Sequence, residues 1–318
     1  QVNGFNSSQI AQFDSSQIGA FSVTGVKGLA SDEIAQITTS AIAGLESADI
    51  NVLDSSQLSG LTTSQIELLT GTQIQGLNAS NVPNAFDSTD VSKISTSAIT
   101  SLSSAAIGAL TATVAGGLTT TQVSLLSSAQ IAGFTATNIS GLNSSQIGQL
   151  TTDDVAALTT AVIAAISTSA IAGIETSEIA VFTSAQIGAL SSTQLAQFTS
   201  SQVSNLTTAN IKGLSSANIS AFTTTAITGL QTDDVGALTS VQISGFSTTQ
   251  VAQFSSSQVE ALTTSNIKGL STAQINVLST SVIAKIETED LAALAVEQFA
   301  GFTTTQITKL TTTQIAAL

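Results

Sequence analysis

The 318-residue sequence contains no Cys, His, Met, Trp, Tyr or Arg and a single proline, Pro83. Without Cys and His, the chain has no disulfide, no thiolate or imidazole catalyst and no ordinary zinc ligand. Only 8% of its residues are charged, with six Lys against 20 acidic residues and a net charge of −14. Because nucleic-acid binding needs clustered Lys and Arg, we expect no nucleic-acid partner.

Other common functional signals are missing as well. No phosphate-binding loop is found, and no apolar run approaches the roughly 20 residues that cross a bilayer. We therefore expect no enzyme, no cofactor, no small-molecule substrate and no membrane span. The lack of Met and of a signal-like segment predicts a processed chain or a segment of a longer array.

An eight-residue repeat runs through the chain, with LTTTQIAA at 310–317 as one copy. We number its positions 1 to 8 from the large apolar residue. Position 1 falls at Phe5 and every eighth residue to Leu77, then at Phe86 and every eighth residue to Leu318. The unit LNASNVPNA at 77–85 has one extra residue, which with its proline predicts a local kink or bulge. A short fixed period predicts one continuous solenoid over residues 1–318 rather than two globular domains.

A longer period is superimposed on the octads. LTTANIKG at 206–213 recurs as LTTSNIKG at 262–269, and LQTDDVGA at 230–237 recurs as IETEDLAA at 286–293. Both pairs are seven octads apart. The period fits either a duplicated seven-octad block or a superhelical turn.

The positional preferences indicate one short helix per octad. In a continuous helix the apolar stripe would drift by about 80° per octad. Position 2 is Ser, Thr, Asp or Asn in 33 of 39 units, and position 5 is Gln, Glu, Asp or Asn in 30. This is the spacing of a helical capping box, and it places the apolar positions 1 and 6 at the hydrophobic staple.

Charge and glycine are also sorted by position. Positions 2, 4 and 5 hold 18 of the 20 acidic residues, and positions 7 and 8 hold all six Lys, as a helix dipole favours. Position 8 holds 14 of the 22 Gly, where we expect helix stops with positive φ and Schellman-type caps. We predict an all-α superhelix of short helices around a dry Leu/Ile/Phe axis. A β-solenoid is the alternative, because Ser, Thr, Ile and Val favour strands.

Adjacent acidic residues are the sharpest ligand candidates. They are Asp153–Asp154, Asp233–Asp234, Glu289–Asp290 and Asp32–Glu33. Their carboxylates, with carbonyl oxygens of neighbouring turns, predict a weak Ca²⁺ site. In the alternative interpretation they are the negative charges expected in the first turn of each helix.

Runs such as FTTTQITKLTTTQIAAL at 302–318 and LTTDDVAALTTAVIAAI at 150–166 resemble octad tracts of very large bacterial surface proteins. Such proteins are often labelled haemagglutinin-like, adhesin-like or calcium-binding exoproteins. The resemblance implies an extracellular structural or adhesive role. We expect a self-associating rod, fibre or sheath at the cell surface. The alternatives are an adhesin stalk or binding module, and a Thr-rich ice-binding solenoid, which requires a flat β face.

Overall fold

The computed structural model describes residues 4–317 and contains two compact units, Gln1–Gly173 and Ile174–Leu318. Each unit is an all-α solenoid of very short helices, and no strand occurs among the described residues. The all-α prediction is confirmed, and the β-solenoid alternative is wrong for this part of the chain. The extra residue near Pro83 lies inside the first unit.

The α-helices of residues 4–317 are four to six residues long. In the first unit, α1 to α18 are Ser7–Ile10, Ser15–Gly19, Val23–Val26, Ser31–Gln36, Ser47–Val52, Ser55–Leu58, Thr63–Glu67, Gly71–Ile74, Ser88–Lys93, Thr96–Ile99, Ser104–Gly108, Ala112–Gly116, Thr120–Leu125, Ser128–Ile131, Ala136–Ile139, Ser144–Ile147, Thr152–Ala157 and Thr160–Ala165.

In the second unit, α19 to α34 are Thr176–Val181, Ser184–Ala189, Ser192–Leu195, Ser200–Val203, Ser216–Ala221, Thr224–Ile227, Thr232–Ala237, Ser240–Ser244, Thr248–Val251, Ser256–Glu260, Thr272–Val277, Thr280–Ile283, Thr288–Ala292, Val296–Phe299, Thr304–Ile307 and Thr312–Ala316. A few octads form a 3₁₀ turn instead, at Ile42–Gly44, Ile171–Gly173, Ile211–Gly213 and Ile267–Gly269.

The octad 238–245 shows how the sequence forms one unit. Thr239, at position 2, has an extended backbone and caps helix α26, which begins at position 3. The side chains of Leu238 and Ile243, at positions 1 and 6, are buried in the core. The N–H of Phe246 donates to the carbonyl of Ile243 at 3.2 Å, which closes the octad and starts the next.

Successive turns of each solenoid pack octads that are three apart, as α12 packs on both α9 and α15. Side-chain hydrogen bonds between turns reach the octads three and four before, as from Gln242 to Leu214 and Ile211. One turn therefore takes between three and four octads. The seven-octad period of the sequence spans about two turns rather than one.

The predicted role of the position-8 glycines is wrong. No described glycine has a positive φ, so these residues do not form left-handed helix stops. Most of them lie instead against the backbone of the preceding turn. A Cβ placed on Gly213 would lie 2.6 Å from the carbonyl carbon of Ser184, and one on Gly173 would lie 2.8 Å from that of Ser144, with the carbonyl oxygens closer still. Glycine is needed because neighbouring turns approach too closely for a side chain.

The nine-residue unit 77–85 forms turns and no helix. The side-chain oxygen of Asn78 accepts hydrogen bonds from the N–H groups of Ser80 at 2.8 Å and Asn81 at 3.2 Å. Asn84 has a φ of 61°, and it is the one described non-glycine residue with positive φ. Asn tolerates this left-handed conformation, so the extra residue is accommodated within a local turn.

Candidate functional site

Position 5 carries a polar side chain of restricted type in most octads. In α26, the Thr239 N–H donates to Oε1 of Gln242 at 2.9 Å, and the Gln242 N–H donates to Oγ1 of Thr239 at 3.2 Å. This reciprocal pair is the predicted capping box. It recurs in most of the described helices, which confirms the local structure inferred from the octad.

The same Gln side chain also reaches the preceding turn. Nε2 of Gln242 donates to the carbonyls of Ile211 at 3.1 Å and Leu214 at 2.8 Å. Gln242 is 5% exposed, so these bonds satisfy carbonyls that water does not reach. We call this arrangement an amide clamp: one amide caps its own helix through oxygen and holds the preceding turn through nitrogen.

Amide clamps recur in both units. Besides Gln242, Gln clamps with two carbonyl partners include Gln57, Gln65, Gln73, Gln130, Gln146, Gln250, Gln258, Gln274 and Gln314, and Gln122, Gln298 and Gln306 have three. Asn makes shorter clamps. Asn210 donates to Ile179 at 2.9 Å, and Asn266 donates to Val235 at 2.9 Å and Leu238 at 3.2 Å.

Sequence reasoning found the capping half of the clamp and missed the half that joins the turns. The signal was present, because position 5 of the 39 units holds 18 Gln and only two Glu. Gln and Glu cap a helix start equally well as acceptors. Only Gln has N–H groups to donate, so the excess of Gln indicates an acceptor outside the octad.

The clamps come in runs separated by gaps. After Asn81, position 5 holds Asp90, Ala98, Ala106 and Val114, and none of these has an amide. A clamp at any of these four positions would have its carbonyl partners three and four octads earlier. At least one of those two carbonyls lies within or before the nine-residue unit. The clamps resume at Gln122, whose partners Val91 and Ile94 both follow that unit. The octads without clamps are therefore those in which the extra residue shifts the alignment of one turn on the preceding turn.

The structure separates the members of three predicted acidic pairs. Asp153, Asp233 and Glu289 are exposed, whereas the neighbours Asp154, Asp234 and Asp290 are buried. Within residues 4–317, no group of three or more acidic side chains could hold a metal ion. The Ca²⁺ site is untested and stays a prediction.

In two of the pairs, carboxylate oxygens accept hydrogen bonds from their own helix start or from a neighbouring helix. Oδ2 of Asp154 accepts from the N–H and the hydroxyl of Thr151, both at 2.8 Å. Oε2 of Glu33 similarly accepts from the N–H of Ala30 at 2.8 Å. Oδ2 of Asp32 accepts from Oγ of Ser7 at 3.1 Å, which joins α4 to α1. Asp154 and Glu33 therefore act as helix caps, and Asp32 links two helices.

Asp234 and Asp290 differ from the other position-5 acids. Each has an Oδ2 that is buried and makes no hydrogen bond. Burial, with a smaller contribution from the adjacent Asp233, raises the pKa of Asp234 to about 6. Burial, with smaller contributions from Glu287 and Glu289, raises the pKa of Asp290 to about 6 as well.

Shallow surface grooves lie between turns. One in the first unit is lined by small residues, among them Ser88, Ala112, Gly117 and Gly141. One in the second unit is lined by Glu260, Lys285, Glu287, Glu289 and neighbouring hydroxyl and amide groups. Both grooves offer hydrogen-bonding groups, and the groove in the second unit also carries charged side chains. Helices with the length and hydrophobicity needed to span a bilayer are absent from residues 4–317.

Four tracts of the sequence match the ALTTAQ repeat, at residues 42–79, 171–208, 227–264 and 283–318. The chain is a repeat protein. The tracts together cover slightly less than half of it, and no curated protein matches the sequence. The last three ALTTAQ tracts begin at residues 171, 227 and 283, and this spacing is the seven-octad period.

The ALTTAQ tracts share one pattern at position 5. The first position-5 residue of each tract is acidic: Asp49, Glu178, Asp234 and Asp290. In every tract the next three position-5 residues are Gln. A buried acid followed by three amide-bearing octads is thus a repeated feature of the chain.

Proposed function

We propose that this repeat protein is a passive structural element at or outside a bacterial cell surface, where it forms part of a rod, fibre or sheath. The observation that carries the proposal is the amide clamp. A clamp such as that of Gln242 joins an octad to the octads three and four before it. Such contacts are equivalent from turn to turn, so length is set by the number of octads.

The surface chemistry supports a structural role. The exposed positions 2 to 4 are dominated by Ser and Thr, and charged residues are few. Exposed large apolar side chains such as Val241 and Val296 are scattered singly, as is normal for a protein surface. Nothing in this arrangement concentrates reactive groups at one point.

The proposal is tested by changing the number of octads. Deleting residues 230–285 removes seven octads, about two turns, and joins octads in the same register. We expect the shorter protein to keep the helical circular dichroism per residue of the full chain. Its maximum dimension in small-angle X-ray scattering should fall in proportion to the octads removed. An unchanged maximum dimension, or loss of helicity, would contradict a modular rod.

Location and assembly need separate tests. Antibodies raised against the purified chain should label the outside of intact producing cells in immunogold electron microscopy, with permeabilised cells as the control. Negative-stain images of the concentrated protein should show end-to-end or lateral assemblies. Labelling only after permeabilisation would reject the surface role.

One of the alternatives loses its structural premise. An ice-binding Thr array of the kind considered requires a flat β face, and residues 4–317 form no β-sheet. An adhesin stalk remains a proposal of the same architectural class, since it would use the same rod to hold a contact domain.

A further inference from the structure

Two aspartates occupy the place of an amide clamp. In the register shared by the clamps, position 5 faces carbonyls in the octads four and three before it. For Asp234 these are Val203 and Leu206, and for Asp290 they are Val259 and Leu262. Asn266, which differs from Asp only in its terminal group, donates to both of its corresponding carbonyls. An ionised Asp has no proton to donate.

Neither aspartate is held by its own helix. The residues at position 2, Gln231 and Glu287, make no side-chain cap, and neither helix has a capping box. Asp234 is 2% exposed and Asp290 is 3% exposed, and Oδ2 of each has no hydrogen-bond partner. The two residues are seven octads apart, each in the first octad of an ALTTAQ tract, so the arrangement occurs twice.

A buried carboxylate without a donor is costly, whereas a neutral carboxylic acid in the same place is both acceptor and donor. We propose that Asp234 and Asp290 are proton-operated clamps, which when protonated donate their O–H to a carbonyl of the preceding turn and tighten the second unit in mild acid. The proton replaces the hydrogen that Gln and Asn carry permanently at this position.

The raised pKa of each carboxyl group agrees with the proposal drawn from the geometry. Both pKa values rise from the ordinary 3.8 to about 6, which corresponds to a roughly hundredfold gain in proton affinity on folding. Because the folded state binds the protons more tightly, stability rises as pH falls from about 6 towards about 4. That contribution is lost as pH rises through about 6.

The charged neighbours of Asp234 do not supply the missing partner. They are Asp233 on α25, Glu260 on the packed helix α28, and Lys212 in the packed 3₁₀ turn, and all three side chains are exposed. The adjacent Asp233 favours protonation of Asp234 further. Lys212 extends into solvent and makes no bond to the buried Oδ2.

The charged neighbours of Asp290 lead to the same conclusion. Glu287 and Glu289 are exposed on the same octad, and the packed helix α34 has no charged residue. Glu260 and Lys285 line the adjacent surface groove and are exposed as well. Lys268, in the 3₁₀ turn three octads before, is exposed like Lys285, whereas burial and the adjacent Glu287 and Glu289 favour the neutral acid.

A bound cation is the competing explanation for an unpartnered carboxylate. Ca²⁺ takes about 6–8 oxygen ligands, and the described residues contain no group of three acids that could hold it. Each Oδ2 is closed off from solvent. A proton fits this site without further ligands, so the geometry favours protonation.

The test compares Asp234→Asn/Asp290→Asn with a surface control, Asp233→Asn/Glu289→Gln, in the full chain. The control removes the same number of charges from exposed neighbours. We expect the wild type and the control to gain thermal stability between about pH 7.5 and pH 5, on either side of the raised pKa values. The Asn variant should already be more stable at the higher pH and should lose most of that pH-dependent gain.

Carbon-13 NMR titration of the wild-type aspartate carboxyls provides a readout that does not depend on how the variants fold. Two resonances, absent from the Asn variant, should titrate near pH 6. Midpoints at or below the ordinary 3.8 would overturn the proposal. It would also be overturned if CaCl₂ raised the melting temperature at neutral pH and the Asn variant abolished that rise, because the site would then hold a cation.

Discussion

The amide clamp at Gln242 allows a test that changes one functional group. Gln242→Glu keeps the length of the side chain and the oxygen that accepts a hydrogen bond from the N–H of Thr239. It replaces the N–H₂ group that donates to Ile211 at 3.1 Å and Leu214 at 2.8 Å. The variant therefore removes the bonds between turns and leaves the capping interaction in place.

The expected cost follows from the bonds lost. Two buried hydrogen bonds contribute about 1 kcal/mol each to the free energy of unfolding. Leaving an ionised oxygen and two carbonyls facing one another adds roughly 1–3 kcal/mol of desolvation cost. The total, about 3–5 kcal/mol, is a large part of the stability of a typical domain. Acidification should recover part of it, because a protonated Glu regains a donor.

Urea unfolding followed by far-UV circular dichroism at neutral pH measures this cost. The matched control is Gln242→Asn, which keeps an amide at position 5 as Asn266 does, and we expect a much smaller loss. A second control, Gln9→Glu, changes an exposed residue whose Oε1 caps Asn6 and should have little effect. If Gln242→Glu and Gln242→Asn unfold at the same urea concentration, the donor half of the clamp contributes nothing and our reasoning fails.

Two further pairs of substitutions test the packing between turns and the burial of the core. Gly213→Ala places a Cβ 2.6 Å from the carbonyl carbon of Ser184 and should lower the free energy of unfolding by about 2–3 kcal/mol or more. In Gly236→Ala the new Cβ would lie 3.3 Å from its nearest neighbour, the carbonyl oxygen of Ala261. This variant should be neutral or should stabilise its helix by up to about 1 kcal/mol. Equal melting temperatures for these two variants would show that the close approach is not limiting. Ile243→Ala removes a fully buried side chain and should cost about 2–5 kcal/mol, whereas Val241→Ala, 66% exposed, should change stability by less than about 0.5 kcal/mol, both measured by urea unfolding.

The sequence predicts the local structure of this protein well because the local signals are repeated. A capping pair such as Thr239 and Gln242 depends on two positions of one octad, and many copies average out the exceptions. The same repetition places Leu238 and Ile243 in the core. The fold class and the start of each helix follow from these short-range rules.

What the sequence leaves out is the interaction between turns. The role of Gly213 depends on the carbonyl of Ser184 in the preceding turn, and the abundance of Gly at the octad end suits a left-handed stop equally well. The donor half of Gln242 and the burial of Asp234 beside an exposed Asp233 depend on the same long-range register. Residue type constrains such contacts only when the number of octads per turn is known.

That number also explains why the chain repeats in blocks of seven octads. If a turn takes about three and a half octads, an octad does not lie above an equivalent octad after one turn. Seven is the smallest whole number of octads that closes a whole number of turns, so Asp234 and Asp290 occur at matching points of the superhelix two turns apart. A substitution that suits one contact between turns then recurs in the same surroundings seven octads later, as the ALTTAQ tracts beginning at 171, 227 and 283 do. With that number of octads per turn, the seven-octad period follows from the geometry of the solenoid, and insertions or deletions of whole seven-octad blocks should be the ones that the fold tolerates best.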